Sequence, residues 1–197
     1  MNLLYIRILS ICFLLTIVMP FIVGCTGSAI GVGALSGLAA YEERSIKTIA
    51  RDTKIAIQLR AALFNKSKKH FIQIGIEVFE GRVLLTGGVE SAQVRADAIG
   101  IAWKVENVKS VLNEMTIGLS SLGDTARDAF ITAQLTSKMT LDKEIMAINY
   151  SIETVAGTVY LIGIAQNTAE LKKVIAHART LSYVRKVISH VRIKKIE

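Results

Sequence analysis

Apolar residues recur along the chain at two different spacings, and the spacing changes in the same order twice. From residue 52 they recur every three or four positions, from residue 72 at every second position, and from residue 91 again every three or four. The first spacing predicts a helix with one apolar side, and the second predicts strands with one buried face. Residues 128–193 show the same succession. The pattern predicts an α+β protein built from two similar halves.

The two halves are related by an internal repeat with a constant offset of 76 residues and no gap. The matched positions are mainly apolar residues and glycines, and they include Asp52 and Asp128, Leu59 and Leu135, Gly81 and Gly157, and Val111 and Val187. A shared core and shared turns would require these positions to agree. We therefore predict two copies of one small domain, over residues 48–118 and 124–195.

Each copy is expected to have the element order αββαβ, with helices on one face of a small sheet. In the first copy, a helix opened by Asp52 precedes a hairpin that turns at Glu80 and Gly81, a second helix over 91–105, and a third strand ending at Ile117. The second copy should place these elements at 126–140, 146–155, 158–164, 167–181 and 184–194. Domains of fewer than about 80 residues have thin cores, so docking of the copies should add stability.

A different pattern occupies the N-terminus, where residues 8–23 are apolar with three interruptions, Ser10, Thr16 and Pro20. The only charged residue before this run is Arg7. A positive start followed by an apolar stretch is the layout of a secretory signal, although a membrane span of minimum length looks similar. Pro20 and the small residue Gly24 favour cleavage. The sequence therefore predicts a signal peptide over residues 1–24.

The signal is followed by Cys25, and residues 22–25 resemble the bacterial lipobox. The resemblance implies that the thiol is diacylated, the signal is cut before it and the new amino end is often acylated, which makes a stable anchor. Thr26 stands where an Asp would imply retention at the inner membrane, so the pattern implies outer-membrane delivery. The alternative is that Cys25 is a small apolar residue near the end of an uncleaved anchor. Loss of Cys12 with the signal would leave no cysteine for a disulfide, a metal site or a nucleophile.

The predicted anchor is joined to the first domain by residues 25–47, a segment rich in Gly, Ala and Ser. This composition predicts a flexible tether, and the glycine face of a close-packed membrane helix is the weaker alternative. Without the signal the chain keeps 23 of its 24 basic residues against 16 acidic ones, a balance of +7. Such a balance suits lipid head groups or nucleic acid, and export argues against nucleic acid.

The sequence does not assemble a catalytic or metal-binding constellation. The histidines His70, His177 and His190 are isolated and lack metal-ligand spacing, and His177 reads as a tolerated helix position. Glu77 and Glu153 occupy equivalent positions on the predicted outer face of a strand. They are conceivable as a paired acid and base, but solvent-facing carboxylates explain them more simply. We therefore expect no enzyme activity and no cofactor.

The copies differ most informatively in their first helices, where Lys54 of the first corresponds to Phe130 of the second. Residues three and four apart are neighbours on a helix, so one face of the second copy's first helix presents Arg127, Phe130, Gln134, Ser137 and Leu141, with Lys138 at its margin. An aromatic ring beside basic and small polar side chains could enter the head-group region of a membrane while the cations meet phosphate. Leu122, in the preceding loop, could reach the same surface. Alternatively, Phe130 caps the core or packs against the first domain.

The element order, the first-helix Asp and Leu, and two later motifs resemble the BON domain. The first motif is Gly-x-Val-x-Leu-x-Gly, at residues 81–87 and 157–163; the second is Ala-x5-Val-x2-Val, at 102–111 and 178–187. With the lipobox, the pair of copies is similar to dual-BON outer-membrane lipoproteins that face the periplasm. This resemblance implies binding of anionic phospholipid, preservation of the membrane barrier, and a lipid-contacting helix with an aromatic at the position of Phe130. A periplasmic adaptor whose domains dock an envelope protein partner is the alternative.

Overall fold

The computed structural model describes residues 42–118 and 122–195. Cys25, the predicted signal peptide and the first part of the predicted tether lie outside these residues. The first copy consists of helix α1 (Ile46–Phe71), strands β1 (Ile74–Phe79) and β2 (Arg82–Val89), helix α2 (Ala92–Trp103), and strands β3 (Ser110–Asn113) and β4 (Thr116–Ile117). Within the described residues, no helix combines the length and apolarity that crossing a bilayer requires.

The second copy repeats this order with a longer last strand. Its elements are helix α3 (Leu122–Leu141), a short 3-10 helix (Ala147–Asn149), strands β5 (Tyr150–Val155) and β6 (Thr158–Ala165), helix α4 (Thr168–Arg179) and strand β7 (Lys186–Ile193). In each copy the first two strands pair antiparallel and the last strand runs parallel to the second. The predicted α+β class and the αββαβ order are confirmed.

Several element boundaries differ from the prediction. The first strand of the second copy begins at Tyr150 rather than at residue 146, because Ala147–Asn149 form a 3-10 helix. Helix α1 begins six residues before Asp52 because Ser45 caps it, with the Ser45 hydroxyl accepting a hydrogen bond from the Thr48 amide at 3.2 Å. The third strand of the first copy is interrupted between β3 and β4, whereas β7 is continuous. The interruption puts Met115 into the core of the first copy, where its side chain is only 4% exposed.

Both hairpins turn at the residues that their sequences predict, and both residues of each turn have a positive φ. The φ angles are 54° at Glu80 and 76° at Gly81, and the equivalent turn has 49° at Ala156 and 75° at Gly157. Two successive positive φ angles match the right-handed twist of the flanking strands, which is why two-residue hairpins favour this turn. A Cβ atom at Gly157 would also lie 2.7 Å from the carbonyl oxygen of Tyr183, so the loop before β7 packs directly on the turn.

Three apolar clusters hold the described residues together in four layers. One cluster lies between α1, α2 and the first sheet, and a second lies between α3, α4 and the second sheet. The third joins the two sheets and consists of Phe79, Leu84, Tyr160 and Ile162, all at most 5% exposed. The layer order is helix, sheet, sheet, helix. Each cluster combines residues that are far apart in the described chain, so these residues share a packed core.

The sheets pack through their outer faces about an approximate two-fold axis. Positions related by the repeat meet across the interface: Glu114 lies 2.9 Å from His190, measured from Oε1 to Nε2, and Leu84 shares a cluster with Tyr160. Arg82 crosses the same interface and donates to the carbonyl oxygens of His190 at 2.8 Å and Gly163 at 3.2 Å. Contacts between equivalent positions are the property of an isologous interface. The two copies therefore dock as an internal dimer.

Residues 42–47, which the sequence assigns to the tether, are part of this folded unit instead. The Glu43 amide donates to Asn149 Oδ1 at 2.8 Å, and the Glu43 carboxylate accepts from Gln166 and Lys194 of the second copy. Arg44 lies over the ring of Phe79, 4.0 Å from its centroid. The start of the first copy is thereby fixed against both sheets.

Candidate functional site

Helix α3 lies on the second sheet with its predicted apolar stripe inward. The core positions Ile131, Leu135 and Met139 are fully buried, as their spacing predicts. The hydroxyl oxygens of Thr132 and Thr154 lie 2.8 Å apart, which adds a polar contact between the helix and β5. These contacts set the rotation of the helix and therefore decide which side chains face outward.

The predicted lipid-contacting residues form one outward-facing flank, which we call the α3 surface: Arg127, Phe130, Gln134, Ser137, Lys138 and Leu141. Phe130 is 55% exposed and Leu141 is 79% exposed, while Gln134 is half-buried. More than half of the Phe130 side chain therefore remains outside the core. The eleven steps from Phe130 to Leu141, at about 1.5 Å each, span about 16 Å along the helix axis. Cys25 and the side chain of Leu122 lie outside what the structure describes.

The first residue of the α3 surface is held by neighbours that the sequence did not identify. Arg127 lies 3.3 Å from Asp124 and stacks over Tyr183, with its guanidinium carbon 5.3 Å from the ring centroid. Tyr183 is 64% exposed and adopts a φ of 70° in the loop before β7. The only hint of Tyr183 in the sequence is that an aromatic residue stands alone in a segment predicted as a loop. Tyr183 adds a second exposed aromatic ring beside the N-terminal part of α3.

Beneath Arg127 lies a pocket of about 130 Å³ whose lining includes Asp128, Gly157, Tyr183 and Arg185. Asp128 is 7% exposed and accepts hydrogen bonds from the amides of Ala156 and Gly157 at 2.7 and 2.8 Å. The Asp128 carboxylate therefore occupies the two backbone amides that could otherwise donate hydrogen bonds to a bound anion. The pocket presents two arginines at its rim, and its floor is already occupied by a carboxylate.

The same arrangement recurs in the first copy, which corrects the predicted role of the first-helix aspartate. Asp52 accepts from the amides of Glu80 and Gly81 at 2.7 and 2.8 Å. It lies almost two turns inside α1, too far from the helix N-terminus for the dipole contact inferred from sequence. The repeated aspartate ties the first helix to the hairpin turn in each copy.

The prediction that Glu77 and Glu153 face solvent is wrong. They lie on the docked faces of the two sheets, where burial raises the pKa of both carboxyl groups, and the Glu77 charge contributes to raising the pKa of Glu153 to about 7. Arg60 opposes this effect, and Ser151 hydrogen-bonds to Glu77. A Cβ atom at Gly75 would lie 3.0 Å from Glu153 Oε1, so this glycine leaves room for the carboxylate.

The histidines whose side chains are described have structural partners. His177 Nε2 lies 2.8 Å from Asp142 Oδ2 and connects α4 to the segment after α3. The hydrogen bond from His177 and the amide of Glu144 lower the pKa of Asp142. His190 pairs with Glu114 across the sheet interface. Among the described residues, no group of three or more His, Cys, Asp or Glu side chains could hold a metal ion.

Comparison with known proteins places the repeat in a family. The model of the BON domain matches residues 51–118 and 127–195. The "Uncharacterized protein in gshII 5'region" of Anaplasma centrale is 41% identical over 145 residues, covering 73% of this chain and 95% of that protein. Outer membrane lipoprotein DolP of Haemophilus influenzae is 30% identical over 171 residues, covering 85% of this chain and 88% of DolP. Osmotically-inducible protein Y of Escherichia coli is 25% identical over 146 residues, 73% of each chain.

Proposed function

The chain belongs to the BON domain family and carries two copies of that domain, and from this premise we propose that it is an outer-membrane lipoprotein that binds anionic phospholipid through the α3 surface. Acylation of Cys25 would attach the chain to the membrane, with the folded domains facing the periplasm. The likeness to the outer membrane lipoprotein DolP over most of both chains supports this location. In this role the protein supports envelope integrity without catalysing a reaction.

The observation that carries the proposal is the exposure of large apolar side chains beside cations on α3. Phe130 and Leu141 are mostly exposed, and the equivalent positions of α1 hold Lys54 and Asn65. The shared fold therefore does not require apolar residues at these positions. An exposed aromatic with nearby arginine and lysine matches the interfacial mode of membrane binding, in which apolar groups enter the acyl boundary and cations meet phosphate.

The acyl anchor lowers the affinity that the α3 surface needs. A tethered site meets the membrane at a high effective concentration, so a contact that is weak alone becomes occupied once Cys25 is anchored. The head-group contact is electrostatic and should weaken as salt screens it, with a screening length near 10 Å at 0.1 M salt. Binding should therefore depend on both lipid charge and ionic strength.

The proposal is tested with residues 26–197, which contain the three apolar clusters and lack the cysteine that would be acylated. We expect this form to float with vesicles containing phosphatidylglycerol at 50 mM salt, to dissociate at 500 mM salt, and to ignore pure phosphatidylcholine vesicles. Failure to bind anionic vesicles at low salt would contradict the lipid contact. A stable envelope protein partner recovered by crosslinking, without vesicle binding, would support the adaptor hypothesis instead. Loss of radioactive palmitate labelling in Cys25→Ala tests the anchor separately.

A further inference from the structure

Helix α1 carries an exposed apolar surface of its own, on a different flank from the α3 surface. Ile57 is 64% exposed and Phe64 is 56% exposed, and Arg60 lies between them at helical spacing. Ile72, just beyond the end of the helix, is 68% exposed. We call these four residues the α1 surface. Clustered apolar side chains rimmed by charge commonly mark interaction sites.

The internal repeat shows that the three helical residues of the α1 surface are specific to the first copy, whereas Ile72 recurs as Ile148. The positions in α3 equivalent to Ile57, Arg60 and Phe64 are Ala133, Thr136 and Thr140. These small or polar residues occupy the same helix in the same fold, so the core does not require large apolar side chains there. Each copy thus places exposed apolar residues on one flank of its first helix, and the flank differs between copies.

A groove of about 140 Å³ lies beside the α1 surface, between α1 and β1. Its floor includes Leu63, Ile74 and Ile76, and its rim includes Arg60, Phe64 and Lys68. Lys68 Nζ lies 5.5 Å from the centroid of the Phe64 ring. The lining combines apolar side chains with two cations and contains no carboxylate. Its charge and polarity therefore complement a ligand that is apolar and acidic.

The strand beside this groove has a free edge within the described chain. The sheet order is β1, β2, β3, so β1 pairs with β2 on one side and is the terminal strand on the other. An edge strand presents a row of backbone donors and acceptors to an extended peptide. A groove between a helix and an edge strand can accept such a peptide, because strand addition provides main-chain hydrogen bonds and alternate side chains enter the groove.

The layer order distinguishes this surface from the proposed membrane contact. Helices α1 and α3 lie in the two outer layers, on opposite sides of the docked sheets. The α1 surface and the α3 surface therefore belong to different outer layers of the protein. We propose that the α1 surface, the adjoining groove and the free edge of β1 bind an extended protein segment in which apolar side chains alternate with Asp or Glu.

The test is selection of peptides from a random decapeptide display library on immobilised residues 26–197. We expect the selected peptides to alternate apolar and acidic residues and to shift the backbone amide NMR signals of β1. The double variant Ile57→Ala/Phe64→Thr carries the residues that the second copy has at the equivalent positions. It should bind the peptides about ten-fold or more weakly than the wild type does. Arg60→Thr should weaken binding mainly at low salt, and Lys172→Ala on α4 is the matched control for loss of a distant cation.

Several results would overturn the proposal. Selection of no peptide, or of peptides without carboxylates, contradicts the predicted chemistry, and unchanged affinity in the double variant contradicts the site. If the double variant instead loses flotation with phosphatidylglycerol vesicles, the surface is a membrane contact. If removal of residues 26–41 raises peptide affinity, the chain's own N-terminal segment occupies the groove. The peptide-binding readouts are independent of whether the α3 surface binds lipid.

Discussion

The carboxyl pair of Glu77 and Glu153 between the sheets should make the stability of the protein depend on pH. A single substitution, Glu153→Gln, should remove this dependence. Glu153→Gln keeps the shape of the protonated side chain and eliminates the charge that burial and Glu77 oppose. In the folded state the pKa of Glu153 is raised from 4.5 to about 7, so the folded protein holds this proton to higher pH than the unfolded chain. Its contribution to stability is therefore complete below pH 4.5 and is lost as the pH rises through 7.

The magnitude follows from the difference between the two pKa values. A rise from 4.5 to about 7 corresponds to about 3 kcal/mol, at 1.36 kcal/mol for each pKa unit. We expect Glu153→Gln to raise the free energy of unfolding by about 2–3 kcal/mol at pH 8 and by less than about 0.5 kcal/mol at pH 4.5. The comparison with wild type at each pH isolates the effect of position 153 together with its coupling to Glu77.

Urea unfolding of residues 26–197, followed by far-UV circular dichroism at both pH values, measures this difference. Glu106→Gln is the matched control, because Glu106 is largely exposed and lies 3.9 Å from Lys54. Its effect should stay within about 0.5 kcal/mol at both pH values. An equal gain from Glu153→Gln at pH 4.5 and pH 8 would refute the reasoning, and so would a loss of stability at pH 8.

Three further predictions concern the fold. Asp128→Ala should lower the free energy of unfolding by about 2–4 kcal/mol, because two hairpin amides lose their acceptor, and thermal unfolding measures the loss. Gly163→Ala should strongly lower the free energy of unfolding in urea, since φ is 158° and the new Cβ would lie 2.1 Å from a carbonyl oxygen. Gly100→Ala in α2 is the matched control, because its Cβ would meet nothing within 4 Å, and it should raise the free energy of unfolding by about 0.5–1 kcal/mol. Arg82→Met should weaken the docking of the sheets by about 1–3 kcal/mol, measured by urea unfolding, because two partly buried carbonyls lose a charged donor.

The secondary structure could be predicted because its signals are local. The stripe of Ile131, Leu135 and Met139 and the turn at Glu80 and Gly81 depend on residues close in the chain. The sheet interface depends on residues 76 positions apart, and a single strand does not show what covers its outer face. One signal did exist: residues 83–85 and 159–162 are apolar at consecutive positions, which is the pattern of strands buried on both sides. These apolar runs in the second strands indicate a covered outer face. That indication is stronger than the apolar and polar alternation of the first strands, from which Glu77 and Glu153 were predicted to face solvent.

In the candidate site, too, the features set by local spacing could be predicted from the sequence, and those set by tertiary contacts could not. Exposure of Phe130 follows from its place beside the core stripe, and the comparison of copies points to it directly. The direction of Arg127 depends on Tyr183, which follows it by more than fifty residues and meets it only through the loop before β7. Tertiary contacts of this kind have no local pattern, so the sequence alone did not identify Tyr183.

Vesicle flotation of two charge-matched variants tests the central proposal most directly. Phe130→Glu and Ala133→Glu place the same charge on exposed positions of α3, but only Phe130 belongs to the α3 surface. Burial of the exposed part of a phenylalanine ring is worth about 1–2 kcal/mol, or roughly ten-fold in affinity. We predict that Phe130→Glu in residues 26–197 lowers the affinity for phosphatidylglycerol vesicles by about ten-fold or more, and that Ala133→Glu lowers it by no more than about three-fold. Equal affinities for the two variants would contradict binding through the α3 surface.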